Sequence, residues 1–310
     1  MYEAIKNFNM QFEYKPKIEN DGKLKKFKRI VAVGMGGSNL ASGLLKIWKP
    51  ELDLIIHRDY GLPPMAAEDL KTSLIICNSY SGNTEEVLEA FDAALSDKLN
   101  VIAISTGGKL LELAKENSRP YIKMPGGLQP RSAIGFNFLA LLKAIGEEDA
   151  IKEAAELAAS LNPSDYEHQG HTLAKKIKDL IPVVYSSSKN QAIAYNWKVR
   201  LNETAKVPAF FNSLPEANHN EILGASENFY FILIKDNSDH QRILKRMEVL
   251  KKIYSDRQLK VGTVALEGDS AFSRIFSSIV LADWTAFHLA KERKVDPEQV
   301  PLIEEFKKLI

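Results

Sequence analysis

One alternation, played out twice, runs through this sequence. Short, continuously apolar runs rich in β-branched residues take turns with longer runs whose apolar residues recur at helical spacing. RIVAVGM (29–35), LDLIIH (52–57), SLIICNS (73–79), NVIAIST (100–106) and PYIKM (120–124) read as strands. SNLASGLLKIW (38–48) and NTEEVLEAFDAALSD (83–97) read as helices between them. Strands apolar on both faces need cover on both faces, which predicts a parallel sheet sandwiched by helices. After a helical stretch at 150–159 and the breaker NPSD (162–165) the pattern restarts. PVVYSSS (182–188), the helix NQAIAYNWKVRL (190–201), and the strands NFYFILIKD (228–236) and KVGTVALEG (260–268) follow. VAVGMGGSNLASGLL and VVYSSSKNQAIAYNW share one plan of strand, small-residue loop and helix. The expected architecture is two copies of an α/β unit, 1–152 and 153–310, which suits a length of about two typical domains.

Composition narrows the class of function. With 41 Lys+Arg against 40 Asp+Glu and a formal charge of +1, the chain has no polybasic surface with which to make nucleic acid its main partner. The single cysteine, Cys77, excludes an internal disulfide framework and a cysteine-rich metal site. Lying in an apolar strand, it reads as an inert small hydrophobe of a reducing compartment. The start, MYEAIKNFNMQFEYKPK, lacks the apolar core of a signal peptide. No apolar run approaches the ~20 residues that a bilayer crossing needs. The expectation is a cytoplasmic protein with neither a membrane nor a nucleic-acid partner.

Open parallel sheets bind ligands beyond the carboxyl ends of their strands, so the loops after the strands carry the argument. The first, Gly34-Met35-Gly36-Gly37-Ser38-Asn39, can turn tightly and present backbone N–H groups to an anion at a helix start. A dinucleotide fingerprint would want a third glycine at Asn39; Asp59 stands where a ribose partner could. The second loop, Asn78-Ser79-Tyr80-Ser81-Gly82-Asn83-Thr84, gathers the hydroxyls of Ser79, Ser81 and Thr84 at a helix start. No Lys follows its glycine, so it is no triphosphate-gripping P-loop, and it suits a compact phosphate monoester. The plain alternative is N-capping, which needs one such residue. Glu85 and Glu86 suit the helix dipole and would have to point away from an anion. Ser105-Thr106-Gly107-Gly108 reads as a turn and cap. In Pro125-Gly126-Gly127-Leu128-Gln129-Pro130-Arg131-Ser132 an irregular loop ends at Arg131, expected to start a helix; its fork could meet an oxyanion, or it is an exposed surface arginine.

The second half offers the groups that move protons. Glu203, at the end of a helix in NETAKVP, is a candidate general base or an ordinary exposed helix glutamate. His219, in PEANHNE, stands among polar residues and is either a proton-passing or a surface histidine. His168 and His171 form an H-x-x-H pair that, with no other ligands nearby, reads as helix surface and not as a metal site. PLIEEFKKLI is an amphipathic helix with Lys307 and Lys308 facing solvent.

In combination these residues resemble a known family. MGGSNL and NSYSGNTEE look like the two sugar-phosphate loops of the sugar isomerase (SIS) domain. GGLQPRSAIG, NETAKVPAF and PEANHNEI, in series with VDPEQVPLIEEFK, resemble the bifunctional phosphoglucose/phosphomannose isomerase family, over nearly the whole chain from Arg29. The resemblance implies two SIS domains, each a flavodoxin-like αβα sandwich, in a homodimer. It implies interconversion of glucose 6-phosphate and mannose 6-phosphate with fructose 6-phosphate, steps of glycolysis and gluconeogenesis, with no cofactor and no metal. Carried over by motif, Gly37, Ser38, Ser79, Ser81 and Thr84 would contact the substrate, chiefly its phosphate. Arg131 would stand beside the reacting carbons and Glu203 would move the proton. His219 from the partner subunit and a C-terminal lysine, Lys307 ahead of Lys308, would open the sugar ring. Where the family often has Arg-Gly-Val-Asp-Pro, this chain has Arg293-Lys294-Val295-Asp296-Pro297, so Lys294 stands at a glycine turn. A sugar-phosphate-binding regulator on the same fold, another sugar-phosphate isomerase, and a nicotinamide-dependent dehydrogenase are the competing readings.

Overall fold

The structure, a computed structural model, describes residues Met1–Leu309, the side chain of Lys308 excepted. A short helix α1 (Tyr2–Lys6) precedes the first sheet. Strands β1 (Arg29–Val33), β2 (Leu54–His57), β3 (Ser73–Asn78), β4 (Asn100–Ser105) and β5 (Tyr121–Lys123) alternate with α2 (Leu40–Trp48), α3 (Ala67–Lys71), α4 (Glu85–Ser96) and α5 (Gly108–Glu116). Helices α6 (Ile134–Ala144), α7 (Glu148–Ala155) and α8 (Leu157–Ser160) complete the first unit. The strands are parallel in the order β2-β1-β3-β4-β5. Every residue of β3 and β4 is buried, because the sheet is covered twice. Val87, Phe91 and Leu110 of α4 and α5 pack on one face; α2 and α6 bring Leu40, Leu44, Phe138 and Leu141 to the core.

The second unit repeats the plan with fewer strands. Its elements are α9 (Glu167–Ile177), β6 (Ile181–Ser187), α10 (Gln191–Ala205), β7 (Phe210–Leu214), α11 (Ala217–Asn220), β8 (Phe229–Lys235), α12 (Gln241–Asp256), β9 (Lys260–Ala265), α13 (Ala271–Glu292) and α14 (Pro301–Leu309). The order is β7-β6-β8-β9, again all parallel. The sequence reading misses β7. Its residues Asn212 and Ser213 interrupt the apolar run, and Phe210 is exposed at the sheet edge, so no strand pattern shows.

The chain divides into compact units at Ser160–Leu161, eight residues past the expected cut at 152–153. Ala154 and Leu157 of α7 and α8 are buried, and the Asn9 amide donates to the Ala158 carbonyl at 2.7 Å, so this stretch stays with the first unit. Met1–Phe8 joins the second unit, where the Tyr2 ring meets Trp284 edge-on at 5.2 Å.

The turn in question at Lys294 is kept. Lys294 takes φ +58°, the left-handed conformation a glycine would take. The Val295 N–H donates to the Ala290 carbonyl and the Lys294 N–H to the Lys291 carbonyl, both at 3.0 Å, closing a Schellman motif after α13. Holding a side chain there costs about 1 kcal/mol. Lys294→Gly is therefore expected to stabilise the protein by about 1 kcal/mol, a rise of about 2 °C in midpoint for a chain of this size. A scanning-calorimetry midpoint that stays put or falls would show that the turn is not strained.

Candidate active site

The order of the first sheet reverses between β1 and β3, and in an open parallel sheet the carboxyl ends of the strands beside such a reversal are where ligands bind. The loop after β1 is held by a pair of buried amides. Asn78, the last residue of β3, and Asn137, on α6, exchange amide hydrogen bonds at 2.9 and 3.1 Å. Each also donates to the Ser38 carbonyl, at 2.8 and 3.2 Å. All the N–H protons of both amides are thus spent on each other and on one loop carbonyl. The third glycine of a dinucleotide fingerprint is replaced by a working residue: buried Asn39 donates to the Gly34 carbonyl at 2.8 Å.

The hydroxyls of the second loop do not cap the helix. Thr84 is the N-cap residue of α4, yet its side chain makes no capping bond; its hydroxyl meets that of Ser79 at 2.7 Å. Ser79 Oγ accepts the Gly82 N–H at 3.0 Å, Ser81 Oγ accepts the Asn83 N–H at 3.2 Å, and Ser38 Oγ accepts the Tyr80 N–H at 2.8 Å. In each case the loop backbone occupies an acceptor position; the Ser38 and Ser81 protons are left to be donated, and the Ser79–Thr84 pair, which spends one proton between its members, leaves one more. That arrangement suits an anion, as does the amino end of α4. Ser38 and Ser79 are buried, Thr84 is half-buried, and Ser81 is exposed. Glu85 is exposed and accepts a hydrogen bond from Tyr60 at 3.3 Å.

The remaining loops buttress this one. A side chain at Gly82, which sits at φ +74°, would fall 1.9 Å from the Gly107 carbonyl oxygen, so the second and third loops interlock only with glycine there. At Gly37 a Cβ would lie 2.7 Å from the Arg131 backbone nitrogen, so the glycine admits the fourth loop to the first. The Tyr80 phenol oxygen accepts the Leu128 N–H at 3.0 Å, and the Gln11 side chain accepts the Gly135 N–H at 3.0 Å and donates to the Ser132 carbonyl at 2.8 Å. Arg131 is 1% exposed, which corrects the reading of it as a surface residue; it lies in a turn, three residues ahead of α6. Gln11 and Asn137 carry no signal in the sequence beyond being polar residues in apolar surroundings, and Tyr80 carries none beyond its place in the hydroxyl loop.

In the second unit the corresponding place, between β6 and β8, is chemically different. The Asp236 carboxylate accepts the Ser238 N–H and hydroxyl at 2.9 and 2.7 Å, the Asn190 amide at 3.1 Å and the Lys189 ammonium at 3.2 Å. Burial alone would raise this carboxyl; the bonds from Ser238, Asn190 and Lys189 outweigh it and pull it down to about 2. Asp239 beside it is raised, by burial first and by Asp236. Donors that the first unit leaves available are here consumed by the protein's own carboxylates.

Glu203, His219 and Lys307 stand on three separate elements of the second unit. Glu203 is half-buried in the last turn of α10; the Lys206 ammonium donates to its backbone carbonyl. Arg200, one turn earlier, is fully buried and reaches Asp283 of α13 at 2.8 Å, an ion pair that sequence reading cannot separate from surface charge. His219 is exposed on the single turn of α11. Lys307 is exposed on α14 and paired with Glu304 at 2.9 Å; the side chain of Lys308 lies outside the described residues. His168 is exposed, whereas His171 turns inward, its ring 4.7 Å from that of His288, which corrects the surface reading for that residue. Among the described residues no group of His, Cys, Asp or Glu side chains could hold a metal ion, and no helix is long and apolar enough to cross a membrane. Cys77 is fully buried, and burial pushes its thiol pKa up.

A family profile described as the bacterial phospho-glucose isomerase C-terminal SIS domain matches residues 167–310. The chain is 35% identical over 317 residues to the bifunctional phosphoglucose/phosphomannose isomerase of Aquifex aeolicus, with 99% of this chain and 97% of that protein covered. It belongs to the bifunctional phosphoglucose/phosphomannose isomerase family. The family's kinship reaches further, since the chain is 31% identical over 227 residues to a D-glucosamine-6-phosphate 4-epimerase of Sulfolobus acidocaldarius, covering 72% of this chain and 71% of that one. The fold is wider still: the C-terminal domain of glucosamine-fructose-6-phosphate aminotransferase from Francisella tularensis superposes with a TM-score of 0.71 at 16% identity, covering 96% of each chain. Both units of this family member are therefore SIS-type αβα layers.

Two outcomes are expected from these contacts. Asn137→Ala leaves the Asn78 amide and the Ser38 carbonyl short of buried partners and should cost about 1–3 kcal/mol in denaturant unfolding; an unchanged midpoint would show that the amide pair does not hold the loop. Because the Asp236 carboxyl is held below its ordinary value of 3.8, its ionised form stabilises the fold above about pH 4, and that contribution is lost as the pH falls toward about 2. Asp236→Asn should flatten this part of the acid limb in stability-against-pH measurements, and an unaltered slope would contradict the assignment.

Proposed function

We propose that this chain is an aldose–ketose isomerase that interconverts glucose 6-phosphate and mannose 6-phosphate with fructose 6-phosphate. The observation that carries the reading is the hydroxyl set of Ser38, Ser79, Ser81 and Thr84, gathered at the switch point: the loop backbone fills an acceptor position on the three serines, one proton is spent between Ser79 and Thr84, and three hydroxyl protons are left for a phosphate. Membership of the family supports it. Gly37 lets the Arg131 loop close on this cradle. The phosphate is remote from the reacting carbons, so its binding energy fixes the sugar in place for the chemistry.

An aldose and its ketose differ by a proton moved between two carbons and another between two oxygens. Glu203 takes the proton from C2 and returns it to C1 by way of an enediolate, and Arg131 stabilises the negative oxygens of that intermediate. Oxidation at one carbon is balanced by reduction at its neighbour, so the reaction draws on no outside oxidant or reductant. Glucose and mannose phosphates differ only at C2 and pass through the same enediol, which gives both activities from one site.

His219 and Lys307 open the sugar ring, with His219 supplied by a second copy in a homodimer. The dimer is supported by apolar surface that a single copy leaves bare: Leu223, just beyond His219, is 98% exposed, and Leu302, Phe306 and Leu309 of α14 are 79%, 62% and 79% exposed.

Glu203→Gln tests the reading. Turnover of fructose 6-phosphate should fall about 10²–10⁴-fold with the substrate still bound. Near-normal activity would remove Glu203 from the mechanism. Tight binding by the unaltered protein with no turnover would favour a sugar-phosphate-binding regulator, and inversion at C4 of an aminosugar phosphate would favour the epimerase chemistry named for the Sulfolobus relative.

A further inference from the structure

His219 sits on the least self-sufficient element of its unit. Helix α11 is one turn, Ala217–Asn220, and a single turn has no stability of its own. Something outside it must set where the imidazole stands. On one side Ala217 is buried in the core with Leu214. On the other, Glu221 follows the helix at once, and its two carboxylate oxygens are gripped separately. The Tyr185 hydroxyl donates to Oε2 at 2.7 Å, and the Asn212 side-chain amide donates to Oε1 at 2.5 Å.

These donors come from the sheet itself. Tyr185 on β6 and Asn212 on β7 are directly paired residues of adjacent parallel strands. Tyr185 is almost fully buried, its ring stacked 5.9 Å from that of Phe231, and burial followed by the bond to Glu221 holds its phenol pKa well above the ordinary range. It stays a proton donor at any pH the enzyme meets. Asn212 is the polar residue that hides β7 in the sequence, and its amide is committed here. A carboxylate held by two side chains of one strand pair is fixed in both position and rotation.

We infer that Glu221 is the positioning residue for His219, tying the ring-opening histidine to the β6–β7 pair. The inference rests on the reading of His219 as the group that opens the sugar ring. Glutamine at this place has the same shape but must turn its NH2 toward one of two donors, so one prong of the grip is lost and α11 is released.

Ring opening can be read apart from the C2 proton transfer as the exchange of α and β anomers of glucose 6-phosphate, followed by magnetisation-transfer NMR on the full-length protein. Glu203→Gln should retain this exchange, and His219→Ala should abolish it. Glu221→Gln should lower both anomer exchange and kcat by about 10²-fold, the order expected for a misplacement of about 1 Å, with KM for fructose 6-phosphate changed less than about twofold. Tyr185→Phe and Asn212→Ala, each removing one prong, should fall in between. If His219→Ala abolishes exchange while Glu221→Gln leaves it intact, or if Glu221→Gln acts on KM alone, the positioning role is wrong and the reading of His219 stands. If His219→Ala exchanges anomers at the unaltered rate, the reading of His219 is wrong. Should Glu221→Gln fail to fold, unaltered exchange in both Tyr185→Phe and Asn212→Ala overturns the proposal.

Discussion

The arrangement at the first sheet depends on two buried amides that close on one carbonyl. Asn78 ends a strand and Asn137 lies on a helix 59 residues later, yet each spends one N–H on the other and one on Ser38. An amide buried without partners is costly, so the pair is stable only when the loop after β1 is in place. The position of Ser38 then fixes Tyr80, whose N–H it accepts and whose phenol oxygen accepts the N–H of Leu128. A chain of single hydrogen bonds thus runs from the sheet to the loop that carries Arg131.

The two units apply one plan to opposite ends. Both are parallel sheets with a switch point, and both gather small polar residues there. In the first, backbone N–H groups fill acceptor positions of Ser38, Ser79 and Ser81, and hydroxyl protons are left over. In the second, Asp236 collects a backbone N–H, a hydroxyl, an amide and an ammonium, which is the donor set an external anion would want. The same topology therefore leaves one switch point suited to an anion and the other already supplied with its own.

Most strands and the hydroxyl loop were legible because their signals are local. Continuous apolar runs mark strands covered on both faces, and serines before a helix mark a helix start. The failures are equally physical. Strand β7 lies at a sheet edge and carries Asn212, whose polarity serves a contact with Glu221 and not the strand pattern. Its own neighbourhood leaves Arg131 open between a surface and a site residue, because its burial depends on a loop that Gly37, 94 residues earlier in the chain, admits. His171 looks like its neighbour His168 until α13 brings His288 against it.

The layer architecture, the repetition of the α/β plan, the loops on which chemistry must sit and the motifs that mark the family are all readable from the order of residues. Those follow from periodicity and from short runs whose meaning does not depend on distant residues. How each polar group spends its hydrogen bonds is settled by packing: that the Thr84 hydroxyl turns to Ser79 and not to the helix end, that Lys294 accepts a left-handed turn, that Arg200 is buried on Asp283. The reason is that satisfaction of a buried donor or acceptor is a property of pairs far apart in the chain, and a pair exists only once packing has expelled water from between its members.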